Sequence, residues 1–307
     1  MKIAILCNDR LGLPAMQLLF QQQLVVAVGT SDRVSETTML LEKQCASVLA
    51  PFQIFTKNNL ESALGIWLQN HQPDVVFIKT FPWKIPASVL SIPRFGFINF
   101  HYAPLPQFRG TNPLFWMIRN RESTGGVTVH QIDENLDTGD ILLMKEVPIY
   151  PEASFGMLIG QLAYAGLELT TTLLQSLMNK TLSPKKQDST QAKWYSQPKA
   201  EDLFIDWKTM TSTEVRALAK ACNPRQKGAV ASYKGWTFGI TDVSLSFMAV
   251  PSETTAGTVI AMDVSNGLII ACADGKSIKI EVVYSEEGYF SGHKMAQFGL
   301  RKGEKLD

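Results

Sequence analysis

Three side chains of complementary chemistry fall in one short stretch: the amide Asn99, the imidazole His101 and the carboxylate Asp137. Asn99 and His101 are two residues apart in an apolar, extended run over 95–100. A strand repeats every two residues, so this spacing predicts both side chains on one side, with Ile98 and Phe100 on the other. An amide donor beside an imidazole at a strand end is what acyl transfer requires. One group holds a developing oxyanion while the other handles protons. Asp137 lies in the loop Leu136-Asp137-Thr138-Gly139-Asp140. Brought near His101, it would set the charge of the ring and receive a proton from a nucleophile. Asp133, Glu134 and Asp140 share that loop and compete for the role.

The elements that must position these groups follow from the hydrophobic pattern. Residues 2–7 form a short apolar run, 13–23 have helical spacing and 24–29 are again apolar. This strand-helix-strand opening predicts an α/β, Rossmann-like, mostly parallel sheet with helices on both faces. Helix 35–49, strand 52–55, helix 60–69 and strand 74–79 continue the alternation. The first turn, Asn8-Asp9-Arg10-Leu11-Gly12, has no G-x-G-x-x-G, which disfavours a nicotinamide or flavin dinucleotide. After the central strand 96–101, Pro104-Leu105-Pro106 reverses the chain, with its X-Pro bonds candidates for cis. Thr111 or Asn112 is expected to cap a helix over 113–119, with Pro113 at its first position. A strand over 123–132, an antiparallel partner over 141–149 and a long helix over 155–178 complete the first domain, residues 1–179.

Residues 180–200, rich in Lys, Gln, Ser, Thr and Pro, have the composition of a linker. A second domain, 201–307, opens with a helix over 211–222. Short β-type runs separated by Gly and Asn-Gly turns follow, predicting a small OB-like antiparallel barrel.

Composition narrows the classes. Hydrophobic residues make up 45% and charged residues 19%, ordinary for a soluble globular protein. Basic and acidic residues nearly cancel, for a formal charge of +1, so a strongly basic nucleic-acid module is not indicated. The first apolar run is too short for a signal peptide, and no stretch is expected to span a membrane. Cys7, Cys45, Cys222 and Cys272 lack pair or CxxC spacing, which points to free thiols and a cytoplasmic protein. His71, His101, His130 and His293 show no metal-ligand spacing, so no metal is expected.

The ordered set Asn99-x-His101, Leu105-Pro106, Arg109-Gly110 and Leu136-Asp137-Thr138-Gly139 resembles the catalytic core of the folate-dependent formyltransferases. Gly126-Val127-Thr128-Val129-His130 matches the strand before the acidic loop in that family. Ile205-Asp206-Trp207, Ala221-Cys222-Asn223-Pro224, Gly257-Thr258-Val259 and Asp274-Gly275 resemble the C-terminal domain of the methionyl-tRNA formyltransferases, the branch closest in architecture. The resemblance implies 10-formyltetrahydrofolate as co-substrate and a primary amine as acceptor. It selects Asp137 within its loop and implies Asn99, His101 and Asp137 as the catalytic set. Asn99 and a protonated His101 would stabilise the oxyanion, with Asp137 keeping His101 charged and taking the amine proton.

The resemblance also implies a pterin slot made from Phe81, Pro82, Trp83 and Ile85, at the end of the strand 74–79, and from Asp133, Glu134 and Asn135. Core packing is the other reading of Phe81 and Trp83. Asn8, Asp9 and Arg10 are placed where the family touches its acceptor, although a plain strand-helix turn fits them equally. Arg109 either meets an acceptor carboxylate or phosphate or braces its loop. His130 stands either beside the site or packed beneath the loop. The tRNA enzymes carry a basic insertion near residues 30–50. Here the sequence is Ser31-Asp32-Arg33-Val34-Ser35-Glu36-Thr37-Thr38, with one Arg and two acids. The expected acceptor is therefore an amino sugar nucleotide or another small or carrier-bound amine. Initiator methionyl-tRNA is the alternative, and a formyltetrahydrofolate hydrolase or a silent folate-binding protein stands behind it.

Overall fold

In the computed structural model, which describes residues 1–33 and 35–307, the first apolar run becomes strand β1 (Ile3–Leu6), every residue of it buried. Val34, part of the segment 31–38 weighed above, lies outside the described residues. The chain divides into two units. One holds Met1–Pro113, Thr124–Pro148 and Ile159–Tyr195; the other holds Leu114–Ser123, Ile149–Leu158 and Ser196–Asp307.

In chain order, helix α1 (Leu13–Gln21), β2 (Val25–Ser31), α2 (Glu36–Ser47), β3 (Phe52–Phe55), α3 (Leu60–His71), β4 (Val75–Ile78) and β5 (Phe97–His101) follow β1. After them come the short β6 (Arg109–Gly110), α4 (Pro113–Arg119), β7 (Thr124–Gln131), β8 (Ile141–Pro148), α5 (Phe155–Asn179) and the short β9 (Trp194–Tyr195). Local chemistry explains several boundaries. Ser35 caps α2 through a reciprocal capping box with Thr38. α3 buries Leu60, Leu64, Trp67 and Leu68, a stripe at helical spacing. Trp67 meets Phe55 of β3 edge-on, with ring centroids 5.5 Å apart.

The seven-stranded sheet has the order β3-β2-β1-β4-β5-β7-β8. β1 through β5 pair in parallel, while β7 runs antiparallel to both β5 and β8. The order reverses direction between β1 and β4, and the carboxyl ends of such strands form the crevice where α/β sheets bind ligands. His101 ends β5, so it stands on that edge. Across the β5–β7 pair, Asn99 is opposite His130 and His101 is opposite Thr128.

The polar stretch after α5 has the composition of a linker, yet its first part is fastened to this unit. Ile141 and Lys185 exchange backbone hydrogen bonds of 2.8 Å each way, and β9 lies parallel to β6. Phe108 stacks on Tyr195 with centroids 5.0 Å apart. The turn between β5 and β6 contains a cis bond at Leu105–Pro106.

In the second unit, α6 (Ser212–Cys222) starts from a capping box between Thr211 and Glu214. Its side chains from Val215 to Cys222 are largely buried. Strands β10 (Ala229–Tyr233), β11 (Trp236–Ser246), β12 (Val259–Asp263), β13 (Gly267–Ala271), β14 (Ser277–Ser285) and β15 (Gly288–Ser291) follow. They make one antiparallel sheet in the order β10-β11-β14-β13-β12, with β15 added on β14. Of the expected OB-like barrel, the antiparallel strands are found and closure is not. Among the described residues, the end strands β10 and β12 share no ladder, so no closed barrel is formed.

A correction concerns α5, which is apolar and long enough to cross a bilayer by length and composition, contrary to the expectation that no stretch would be. Its most apolar stretch is 56% buried, with Leu158, Leu162, Leu169 and Leu173 inside, so it is built as a core helix.

Gly110 shows how tightly β6 and β9 meet. Its φ is +105°, and a Cβ there would lie 2.1 Å from the Tyr195 carbonyl oxygen. Gly110→Ala is expected to force this pair apart and lower the melting temperature by roughly 5 °C or more, measured by calorimetry. A melting point within a degree of wild type would show that the contact yields freely.

Candidate active site

The period-two expectation for β5 is met at the side chains. Asn99 and His101 flank the buried Phe100 and reach the same cluster, which Asp137 and His130 complete. His101, His130 and Asp137 are each at least nine-tenths buried. His101 Nδ1 is 3.7 Å and His130 Nε2 3.6 Å from Asp137 Oδ1. Asp137 Oδ2 accepts the Gly110 N–H at 2.9 Å.

Hydrogen-bond chemistry fixes the ring tautomers. A carbonyl oxygen only accepts, so His101 carries its hydrogen on Nε2 and donates to Phe108 O at 2.6 Å. His130 likewise donates from Nδ1 to Gln131 O at 2.8 Å. Its Nε2 is then an acceptor, and it receives an amide hydrogen from Asn99 Nδ2 at 3.1 Å. His130 therefore stands at the site and orients Asn99. β-ladder register is what brings it there, which period-two reasoning along one strand cannot reveal.

The backbone at Asp137 is in the left-handed region, with φ +53°. That conformation costs a non-glycine residue on the order of 1 kcal/mol and persists only where neighbours hold it. Gly139 allows the turn to close, because a Cβ there would lie 1.9 Å from Gln131 O.

Burial pushes the Asp137 carboxyl up, but the two imidazoles and the Gly110 N–H outweigh it and hold it at about 2. Burial also disfavours a charged His101 and lowers its pKa, with Asp137 opposing and His130 adding to the fall. The first statement draws on a charged imidazole and the second argues against one. The separation decides between them: 3.7 Å is too long for an N–H···O hydrogen bond, so the full pairing that would hold a proton on Nδ1 is not made. The pair rests as a carboxylate facing a neutral imidazole.

Other expected site residues are placed differently. Arg109 is 4% exposed, and its Nε and Nη2 donate to Gln187 Oε1 at 3.1 and 2.8 Å, so it braces the loop rather than presenting itself to an acceptor. The Asn8 amide is engaged with Ser31, giving a hydrogen to its Oγ and taking one from its N–H. Asp9 Oδ1 accepts from Leu11 N at the start of a short 3-10 turn. Arg10 is exposed.

Phe81 and Trp83 are half-buried, edge-to-face at 5.4 Å, and pack on the core around Trp67. Ile85 belongs to that core at 2% exposure. Pro82 and Trp83 line a surface groove of about 750 Å³ that Lys57 and Lys84 also border. Asp133 is occupied within its own loop, accepting from Thr138 Oγ1 and Asn135 N, while Glu134 is exposed. Among the described residues no cluster of His, Cys, Asp and Glu could hold a metal ion.

The sheet and the strand-end cluster define a Rossmann-like enzyme of group-transfer type. A formyl transferase family model matches residues 7–173, and one for the formyl transferase C-terminal domain matches residues 198–291. The chain belongs to the formyl transferase family and is a formyltransferase. A methionyl-tRNA formyltransferase of Geotalea uraniireducens is 30% identical over 314 residues, covering 96% of each chain. That of Geobacter metallireducens is 33% identical over 215 residues, 70% of this chain and 66% of its own. Among solved structures, the sugar 3N-formyl transferase WlaRD, determined with dTDP and 5-N-formyl-THF, has a TM-score of 0.67 at 19% identity. It covers 91% of this chain and 96% of its own, a likeness of fold.

The depressed Asp137 pKa carries a stability consequence. A carboxyl whose folded value lies near 2 contributes stability fully present above its unfolded value, about 4, and lost as pH falls through the folded value. Asp137→Asn is expected to flatten the loss of unfolding free energy between about pH 4 and pH 2, measured by urea titration. Parallel pH curves for the two proteins would show that the carboxylate is not held ionised.

Proposed function

We propose that the protein transfers a formyl group from 10-formyltetrahydrofolate to a primary amine of a small or carrier-bound acceptor, of which an amino sugar nucleotide is the type. The observation that carries the reading is the buried Asn99–His130–Asp137–His101 cluster at the carboxyl end of β5. The residues present suit the donor. The loop after β4 leaves its strand beside β5 on the same sheet edge and offers the half-buried rings of Phe81 and Trp83. Across from it in sequence, Leu136 is 44% exposed on the acidic loop. Flat apolar walls and backbone polar groups fit a pterin.

When bound, the donor supplies the formyl carbon and a leaving nitrogen. Asn99 gives one amide hydrogen to His130 and keeps the other for the oxygen that gains charge as the amine attacks. His101 Nδ1, unprotonated at rest, takes the proton from the attacking nitrogen and returns it to the leaving nitrogen. Asp137 at 3.7 Å offsets the imidazolium charge while it lasts. This role differs from direct proton uptake by Asp137: a carboxylate with a pKa of about 2 is a poor base, and the imidazole is the better one.

The acceptor assignment rests on residues 31–38, which carry two acids and one arginine where tRNA enzymes are basic. A second reading, initiator methionyl-tRNA, is favoured by the full-length similarity to proteins of that name. A panel of amines incubated with 10-formyltetrahydrofolate, including charged initiator tRNA and amino sugar nucleotides, tests both by mass spectrometry. Gain of one formyl group on a small amine is expected. Formylation of the tRNA alone would establish the second reading, and formate release without any amine would mark a hydrolase.

His101→Ala and Asp137→Ala are each expected to cost roughly 100-fold or more in kcat with the fold intact. Because His101 must be neutral to act, kcat/KM for the amine should fall as pH drops through a value below the ordinary imidazole pKa of about 6.5. With the concentration of unprotonated amine held constant, an acid limb centred well above that value would remove His101 from the role of base.

A further inference from the structure

The polar segment that follows α5 reaches into the catalytic cluster through one side chain. Gln187 Nε2 donates to the carbonyl oxygens of Asp137 at 2.9 Å and Gly139 at 2.8 Å. Its Oε1 accepts twice from the buried Arg109 guanidinium. All four hydrogen-bonding positions of the amide are used. No carboxylate or hydroxyl has this mixture of two donors and one double acceptor in a single planar group.

The geometry leads us to propose that Gln187 is a positioning residue for Asp137. It clamps the turn 137–139 to the loop 109–110, making the stretch 185–195 a working part of the catalytic unit. The inference rests on the formyl-transfer reading for its kinetic consequence, but the clamp itself stands on three observations. Asp137 holds a left-handed backbone that needs outside support. Gln187 bonds the carbonyls on both sides of Thr138, so the strained turn is gripped at its two ends. The grip is anchored at the same loop whose Gly110 N–H holds the Asp137 carboxylate.

Backbone pairing delivers Gln187 to this place. Lys185 is bonded to Ile141 just beyond the acidic loop, and Lys193 O accepts from Arg109 N at 3.0 Å. Gln191 Oε1 accepts from Gln107 Nε2 at 3.1 Å. Arg109 is set by the same segment, since its guanidinium lies over the Trp194 ring at 5.5 Å. The charged and titratable groups around Asp137 are His101 from β5, His130 from β7 and, through Gln187, Arg109 from β6.

Two substitutions separate the clamp from simple packing. Gln187→Ala removes it. Gln187→Glu keeps the length and pairs with Arg109 but turns carboxylate oxygens toward two carbonyls, so it releases the turn while leaving Arg109 satisfied. The experiment follows the His101 ring by ¹⁵N-edited NMR titration in wild type, both variants and Asp137→Asn, with kcat, KM and melting temperature measured in parallel.

Gln187→Ala is expected to move the His101 titration to lower pH, in the direction of Asp137→Asn, because the carboxylate that favours the imidazolium has withdrawn; in Gln187→Glu the added carboxylate, paired with Arg109, makes the shift smaller. In the transfer assay kcat should fall at least tenfold, with KM for the amine within threefold. An unchanged His101 titration in Gln187→Ala would overturn the proposal, whatever the melting temperature does. A kcat within threefold of wild type in both variants would overturn it too, provided that wild type is active. If wild type transferred no formyl group, the formyl-transfer reading would fail instead, and the titration would still decide the clamp.

Discussion

A carboxylate kept ionised out of bulk water is the constraint around which the first unit is built. Asp137 has little exposed surface, and burial alone would protonate it. What opposes this is the Gly110 N–H bonded to Oδ2 and, whenever a neighbouring ring takes up a proton, the positive charge of an imidazole beside Oδ1. Each of these imposes a local requirement. Gly110 must lack a Cβ to let β9 approach, and Gly139 must lack one to let its turn close on Gln131. His130 must stand opposite Asn99 in the ladder. The glycines and the register are consequences of one electrostatic demand.

The same cluster sets its own proton balance. A unit charge pair 3.7 Å apart is worth roughly 4 kcal/mol at an effective dielectric constant near 20. Burying an imidazolium costs an amount of the same order. Because the two nearly cancel, a modest change at the site shifts which form of His101 prevails. Burial has the upper hand at rest, leaving Nδ1 free to accept a proton. Proton uptake then creates a charge beside a carboxylate already in place, so little rearrangement is required.

What the sequence discloses depends on whether a signal is local. Asn99 and His101 were legible because a strand's period of two is written in consecutive residues. The helices were legible to within a few residues through their apolar spacing, with Pro113 as a first position; the Ser35 and Thr211 caps emerge only in the structure. Groups placed by pairing between distant segments were not. His130 joins the site through β5–β7 register, thirty-one positions from its partner Asn99. Gln187 sits in a stretch whose composition marks a connector, and nothing local distinguishes a glutamine in solvent from one gripping a turn. Arg109 is similar: its type suggests anion binding, while its burial against Gln187 and Trp194 assigns it to bracing. The OB-like barrel is not confirmed, because runs of β-type residues specify strands but not whether the last one meets the first.

On the proposed reading, acceptor choice and chemistry occupy separate parts of the sheet edge, and this separation gives physical meaning to the sequence departures. The buried cluster of Asn99, His101, His130 and Asp137 draws on β5, β7 and the acidic loop, all braced by segments 109–110 and 185–195. The loops after β1 and β2 lie on the other side of the switch point. There Asn8 binds Ser31, and Ser35 binds Thr38, so the polar side chains mostly satisfy one another. Asp32 and Arg33 are left exposed with opposite charges. On the proposed reading, such a surface offers little attraction to a polyphosphate backbone, whose capture needs several cations acting together. On the same reading, a change of acceptor at β1 and β2 need not disturb the proton balance at His101, because among the described residues the hydrogen bonds of that balance come from β5, β6, β7 and the loop that follows β5.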